Sequence, residues 1–137
     1  MRVLFIVNPA AGHGRSGARW AMASKLAKAI HPEMRIAYTD RPGHGRELAC
    51  QAVADGVELV VAVGGDGTVG EIVDGFLSVP AQARHNSVLA TFPAGSGCDF
   101  AGHMGVPREP EVWARHFAAG KRRRLDAGRA TFRDAHG

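Results

Sequence analysis

The segment over 57–77 narrows the fold more than any other part of this chain. Val57-Glu58-Leu59-Val60-Val61-Ala62-Val63 is apolar apart from one residue. A run without polar alternation is the mark of a strand covered on both faces, as in a parallel sheet. It passes without a spacer into Gly64-Gly65-Asp66-Gly67-Thr68. Val69, Ile72, Val73, Phe76 and Leu77 then recur at i, i+3, i+4, i+7 and i+8, one apolar face of a helix.

The same design returns twice. The apolar run over 3–7 leads through Asn8-Pro9 into a glycine loop ending at Gly17, then into a helix over about 16–31 carrying Met22, Leu26 and Ile30 and closed by Pro32. The run over 88–92 leads through Pro93-Ala94-Gly95-Ser96-Gly97 into a short helix near 98–104. A shorter strand over 34–39 and a helix over 45–55 fill the interval between the first two units. A helix near 109–119, anchored in the core by Trp113 and Phe117, and short strands over 121–125 and 129–132 complete the chain. Strands alternating with helices predict an α/β domain built on a parallel sheet. Ligands of such sheets bind beyond the carboxyl ends of the strands.

Composition agrees with one globular domain. At 137 residues, 45% apolar and 22% charged, the chain is neither disordered, collagen-like nor a coiled coil. Glycine is in surplus, 18 residues, about twice its average usage. Eight of them, Gly12, Gly14, Gly17, Gly64, Gly65, Gly67, Gly95 and Gly97, fall in the three strand-to-helix loops. A net charge of +4 favours anionic partners without choosing among them. The two cysteines, Cys50 and Cys98, have no disulfide or zinc spacing and read as reduced thiols. No leader peptide or membrane span is legible, so a soluble cytoplasmic chain is expected.

Gly12-His13-Gly14-Arg15-Ser16-Gly17 spells G-x-G-x-x-G, and Asp40 closes the second strand. In a dinucleotide fingerprint the first glycine follows its strand almost directly, whereas Asn8-Pro9-Ala10-Ala11 intervenes here. The motif is read instead as a glycine loop near a phosphate. The 64–68 loop is more specific. A helix N-terminus presents free N–H groups and positive potential, and consecutive glycines let phosphate oxygens reach the main chain. Asp66 in their midst would repel a bare phosphate, which argues for a divalent cation bridging the two. The alternative is a tight turn with Asp66 as a local cap. Thr68 and Glu71 also spell a capping box that needs no ligand. In the third loop Ser96 is a candidate phosphate donor, and Asp99 is either a cap or a second metal ligand. The seven histidines lack zinc spacing. Lys121-Arg122-Arg123-Arg124 reads as a solvated run or a contact with phosphate or an anionic bilayer, and no aromatic-rich basic strand supports an RNA-binding platform.

Asn8-Pro9…Gly12, then Gly64-Gly65-Asp66-Gly67-Thr68 with Glu71, then Pro93-Ala94-Gly95-Ser96-Gly97-Cys98-Asp99-Phe100-Ala101, in this order and spacing, resemble the catalytic domain of the diacylglycerol kinase family, which includes bacterial lipid kinases and sphingosine kinases. The resemblance implies a three-layer nucleotide-binding fold of the lipid kinase and NAD kinase type. It implies ATP and Mg²⁺ as cofactors and transfer of the γ-phosphate to a lipid hydroxyl, on diacylglycerol or a sphingoid-like alcohol. It places Asn8, Gly12, Thr39, Gly64, Gly65, Gly67, Thr68, Glu71, Gly95 and Ser96 around the nucleotide, Asp66 at the centre of catalysis, and Asp99 with it in the metal network. The chain departs from the family at Gly70 and Cys98, where asparagine is usual, and at Ser96, where threonine is usual. Family members continue into a β-rich second domain, and Arg124-Leu125-Asp126-Ala127-Gly128 resembles the crossover to it. The expected organisation is therefore an ATP-binding domain over 1–124 and a crossover stub over 125–137, inactive as a kinase on its own, with the segment from Arg129 onward either disordered or paired with a second copy. NAD kinase, which shares the G-G-D-G-T loop, and a non-catalytic nucleotide-binding module are the alternatives.

Overall fold

A computed structural model describes residues 1–14, 17–84, 86–131 and 133. Four strands, β1 (Val3–Val7), β2 (Arg35–Tyr38), β3 (Leu59–Gly64) and β4 (Val88–Pro93), pair in parallel in the order β2-β1-β3-β4. The chain leaves β1 for β2 on one side and then crosses to β3 on the other. A switch point therefore lies between β1 and β3, where a parallel sheet opens a crevice at its carboxyl edge.

Period-two alternation decides which residues face which layer. Val3, Phe5 and Val7 of β1, with Val61, Val63 and Phe92, pack against Trp20, Ala23 and Ala27 of α1 (Gly17–Ile30) and Trp113 and Ala114 of α6 (Pro110–Ala119). Leu4, Ile6, Val60 and Ala62 point the other way, onto Ala49 and Ala52 of α2 (His44–Ala54) and Val69 and Ile72 of α3 (Asp66–Leu77). The result is a three-layer α/β sandwich, as the runs of apolar strand residues predict. Trp113 and Phe117 are core residues: their rings stack at 4.7 Å, and the buried Trp113 indole donates to the Thr91 carbonyl at 2.9 Å. Helices α2 and α3 touch through Gly75, where an added Cβ would overlap the Arg46 carbonyl oxygen and crowd Ala49.

Two short helices, α4 (Ala81–Arg84) and α5 (Asp99–His103), and a single 3-10 turn over Ala11–Gly14 are also present. The expected strands over 121–125 and 129–132 are not present among the described residues. Residues 121–131 are exposed and pair with no neighbouring strand, and a β-ladder needs a partner. Phe132, like Arg15 and Ser16 of the first glycine loop, lies outside the described residues. Among the described residues no helix is long and apolar enough to cross a membrane.

Candidate functional site

The loops after β1 and β3 meet at the switch point because backbone hydrogen bonds carry the ladder past the strand ends. Asn8 N–H donates to the Val63 carbonyl at 3.0 Å, Thr39 N–H to Val7 at 2.9 Å, and Ala94 N–H to Gly64 at 3.1 Å. Beyond these bonds the chain opens into a cleft of about 830 Å³. Its walls include Asn8, Gly12, Thr39, Gly65, Asp66, Gly67, Thr68, Glu71, Gly95 and Ser96, all singled out by sequence. Two singled-out residues are absent from that wall. Gly64 is the buried last residue of β3, and Asp99 is exposed at the start of α5. Pro9 and Gly97, which belong to the loops read from sequence, also line it, and the sequence reading missed Ala10, Ala11 and the Asp40-Arg41-Pro42 turn. The turn follows β2, so the carboxyl-edge rule was the signal that could have found it.

The two inner glycine loops lie against each other. A Cβ on Gly95 would overlap the Gly65 Cα, and one on Gly65 would meet the Gly97 carbonyl oxygen at 3.0 Å. Asp66 N–H donates to that same Gly97 oxygen at 3.0 Å. The first intrahelical bond of α3 is from Val69 N–H to the Gly65 carbonyl, so Gly67 and Thr68, in the first turn, keep N–H groups with no intrahelical acceptor. Both residues line the cleft. The rim at Gly12 and His13 has a left-handed backbone (φ 61° and 56°), uncommon for a histidine.

Asp66 is held more firmly than a local cap. Its Oδ2 accepts the Asp99 N–H and its Oδ1 the Phe100 N–H, each at 3.0 Å. It therefore caps α5, across the loop contact, rather than its own helix. Each oxygen keeps a lone pair for a further partner. The capping box fails as read. Glu71 turns away from the start of α3 and accepts the Gly43 N–H at 2.9 Å and the Gly45 N–H at 3.1 Å, closing the N-terminus of α2. Thr68 is buried and its hydroxyl accepts from Asn8 Nδ2 at 3.2 Å, which ties the loop after β1 to α3. At one departure from the usual motif, the Cys98 thiol donates to the Gly95 carbonyl at 3.2 Å, inside the loop.

Among the described residues no group of three His, Cys, Asp or Glu side chains gathers into a metal cage. Mg²⁺ commonly rests on one or two carboxylates and the substrate's own phosphates. Asp66 has the position and the spare lone pairs for such a role.

Residues 2–130 match the model of the diacylglycerol kinase catalytic domain. A Chromohalobacter salexigens protein named "Probable lipid kinase YegS-like" is 39% identical over 69% of this chain and 30% of its own length. A Pseudomonas aeruginosa protein of the same name is 33% identical over 71% of this chain and 30% of its own. The crystal structure of a diacylglycerol kinase from Bacillus anthracis superimposes with a TM-score of 0.76 at 29% identity, covering 88% of this chain and 42% of that one. The chain thus spans less than half the length of these relatives. With a family model matching residues 2–130 and helices on both faces of a four-stranded parallel sheet, this chain belongs to the diacylglycerol kinase catalytic domain family.

Proposed function

We propose that this chain is the ATP-binding portion of a lipid kinase, which passes the γ-phosphate of ATP to a lipid hydroxyl. The observation that carries the reading is the convergence of two glycine loops on one cleft, with the first-turn amides of α3 and the carboxylate of Asp66 on the same wall. Phosphoryl transfer asks a protein for positioning and charge neutralisation more than for covalent chemistry. Gly67 and Thr68 would donate N–H groups to the phosphates, with Ser96 adding a hydroxyl. Close contact of Gly65 with Gly95 keeps side chains out of the phosphates' path. Asn8 and the 39–42 turn would form the wall toward the nucleoside. Mg²⁺, when bound, would neutralise phosphate charge, and Asp66 is the residue assigned to hold it, with Asp99 as the neighbouring carboxylate.

The exposed Lys121-Arg122-Arg123-Arg124 run suits contact with an anionic bilayer. Sedimentation with vesicles containing phosphatidylserine tests this, and equal partition onto neutral vesicles refutes it. The central test is calorimetric titration with Mg²⁺ and ATP, followed by transfer assays offering diacylglycerol, sphingosine and NAD side by side. Micromolar-range ATP binding is expected, without turnover by the chain alone. Absence of ATP binding, or phosphorylation of NAD, overturns the proposal.

A further inference from the structure

A second hollow, of about 220 Å³, adjoins the cleft along Gly12, Gly95 and Ser96, and its other walls include His13, Arg19 and Arg108. The two guanidinium groups are pinned by neutral partners. Arg19 donates to the carbonyls of Arg108 and Pro93, each at 3.0 Å, and its Cζ lies 5.6 Å from the centre of the Phe92 ring. Arg108 donates to the Gly95 carbonyl at 3.1 Å. Arg19 thus uses two of its five N–H groups and Arg108 one. Among the described residues neither forms an ion pair with a carboxylate. Two fixed positive charges face one hollow with donors to spare, and His13 adds a third nitrogen donor.

Carbonyl acceptors hold guanidinium groups in place but cancel none of their charge. Like charges gathered this way cost energy unless an anion joins them, and planar guanidinium forks suit oxyanions with several acceptor oxygens. Ser96, shared by both cavities, offers a hydroxyl at the boundary.

We infer that Arg19 and Arg108 form a phosphate-binding subsite beside the main cleft, distinct from the amides of Gly67 and Thr68. The inference rests on the nucleotide reading only for the identity of what fills the adjoining cleft. The phosphate group has two sources, the polyphosphate tail of the nucleotide or a separate phosphate.

Calorimetry on the chain with ATP, adenosine and inorganic phosphate separates these, using Arg108→Gln and the charge-preserving Arg108→Lys. Arg108 is exposed and makes one hydrogen bond through its side chain, so both variants should melt close to wild type. If the tail is the source, Arg108→Gln weakens ATP about tenfold and leaves adenosine unchanged, and phosphate competes with ATP. If a separate phosphate is the source, Arg108→Gln weakens inorganic phosphate about tenfold, and phosphate binds alongside ATP. In both arms Arg108→Lys, which keeps the charge but not the planar fork, falls between wild type and Arg108→Gln. Wild-type affinity for ATP and phosphate in Arg108→Gln overturns the subsite, as does an equal loss in Arg108→Lys, which would mark a merely structural contact. Failure of ATP and adenosine to bind wild-type protein would instead refute the nucleotide reading, with the phosphate titration still testing Arg108.

Discussion

Glu71 Oε2 accepts the Gly45 N–H at 3.1 Å, and through this bond a residue of α3 closes the first turn of α2. Its other oxygen holds Gly43, next to the 39–42 turn that lines the cleft. One carboxylate therefore joins the helix of the phosphate loop to the far wall of the cleft. Glu71→Ala leaves the N–H groups of Gly43, just before α2, and of Gly45, in its first turn, without their acceptor. A loss of about 1–2 kcal/mol of stability is expected in urea denaturation. ATP affinity should fall with it. Unchanged stability would show that water replaces the carboxylate without cost.

Asp66 makes the corresponding bond on the other side of the site, to the Asp99 and Phe100 amides. Asp66→Asn turns one of the two acceptor oxygens into a donor that faces an N–H. Faster hydrogen exchange at Asp99 and Phe100 is expected, together with weaker binding of ATP in the presence of Mg²⁺ and unchanged binding of adenosine. Equal loss of adenosine and ATP would assign Asp66 a structural role alone.

Gly75 and Gly70 lie on the same helix in opposite circumstances. Gly75 is buried against Arg46 and Ala49, while a Cβ on Gly70 meets open space. Gly75→Ala is expected to cost about 1–3 kcal/mol through overpacking. Gly70→Ala is expected to stabilise the chain by about 0.5–1 kcal/mol, the helix-propensity difference. Thermal melts of the two variants should shift in opposite directions, and a shared direction contradicts the packing described here.

The continuous apolar runs over 3–7, 57–63 and 88–92 were enough to read β1, β3 and β4, and helical periodicity the major helices, whereas β2 is a largely exposed edge strand without such a run. The two inner glycine loops were legible because each begins at or just beyond a strand end, whereas four residues separate β1 from Gly12. Two bonds that organise the site were not. The partners of Glu71 lie 26 and 28 residues away, and those of Asp66 33 and 34. Local spacing therefore offered only a capping box and a local cap, and tertiary contact overrode both. The role of Asp40-Arg41-Pro42 as a cleft wall depends on β2 lying beside β1, a sheet order that no residue pattern encodes. The short strands expected over 121–125 and 129–132 had suitable side chains in part, but strand formation depends on a neighbour, which sequence does not reveal.

Amide hydrogen exchange with and without ATP and Mg²⁺ tests the central claim most directly, because it reports which loops receive the nucleotide. Protection is expected at Gly67, Thr68 and Gly97 and in the 39–42 turn, with β2 and α6 unaffected. Binding accompanied by protection elsewhere, or no change at the two glycine loops, would contradict the placement of the phosphates between α3 and the 95–97 loop.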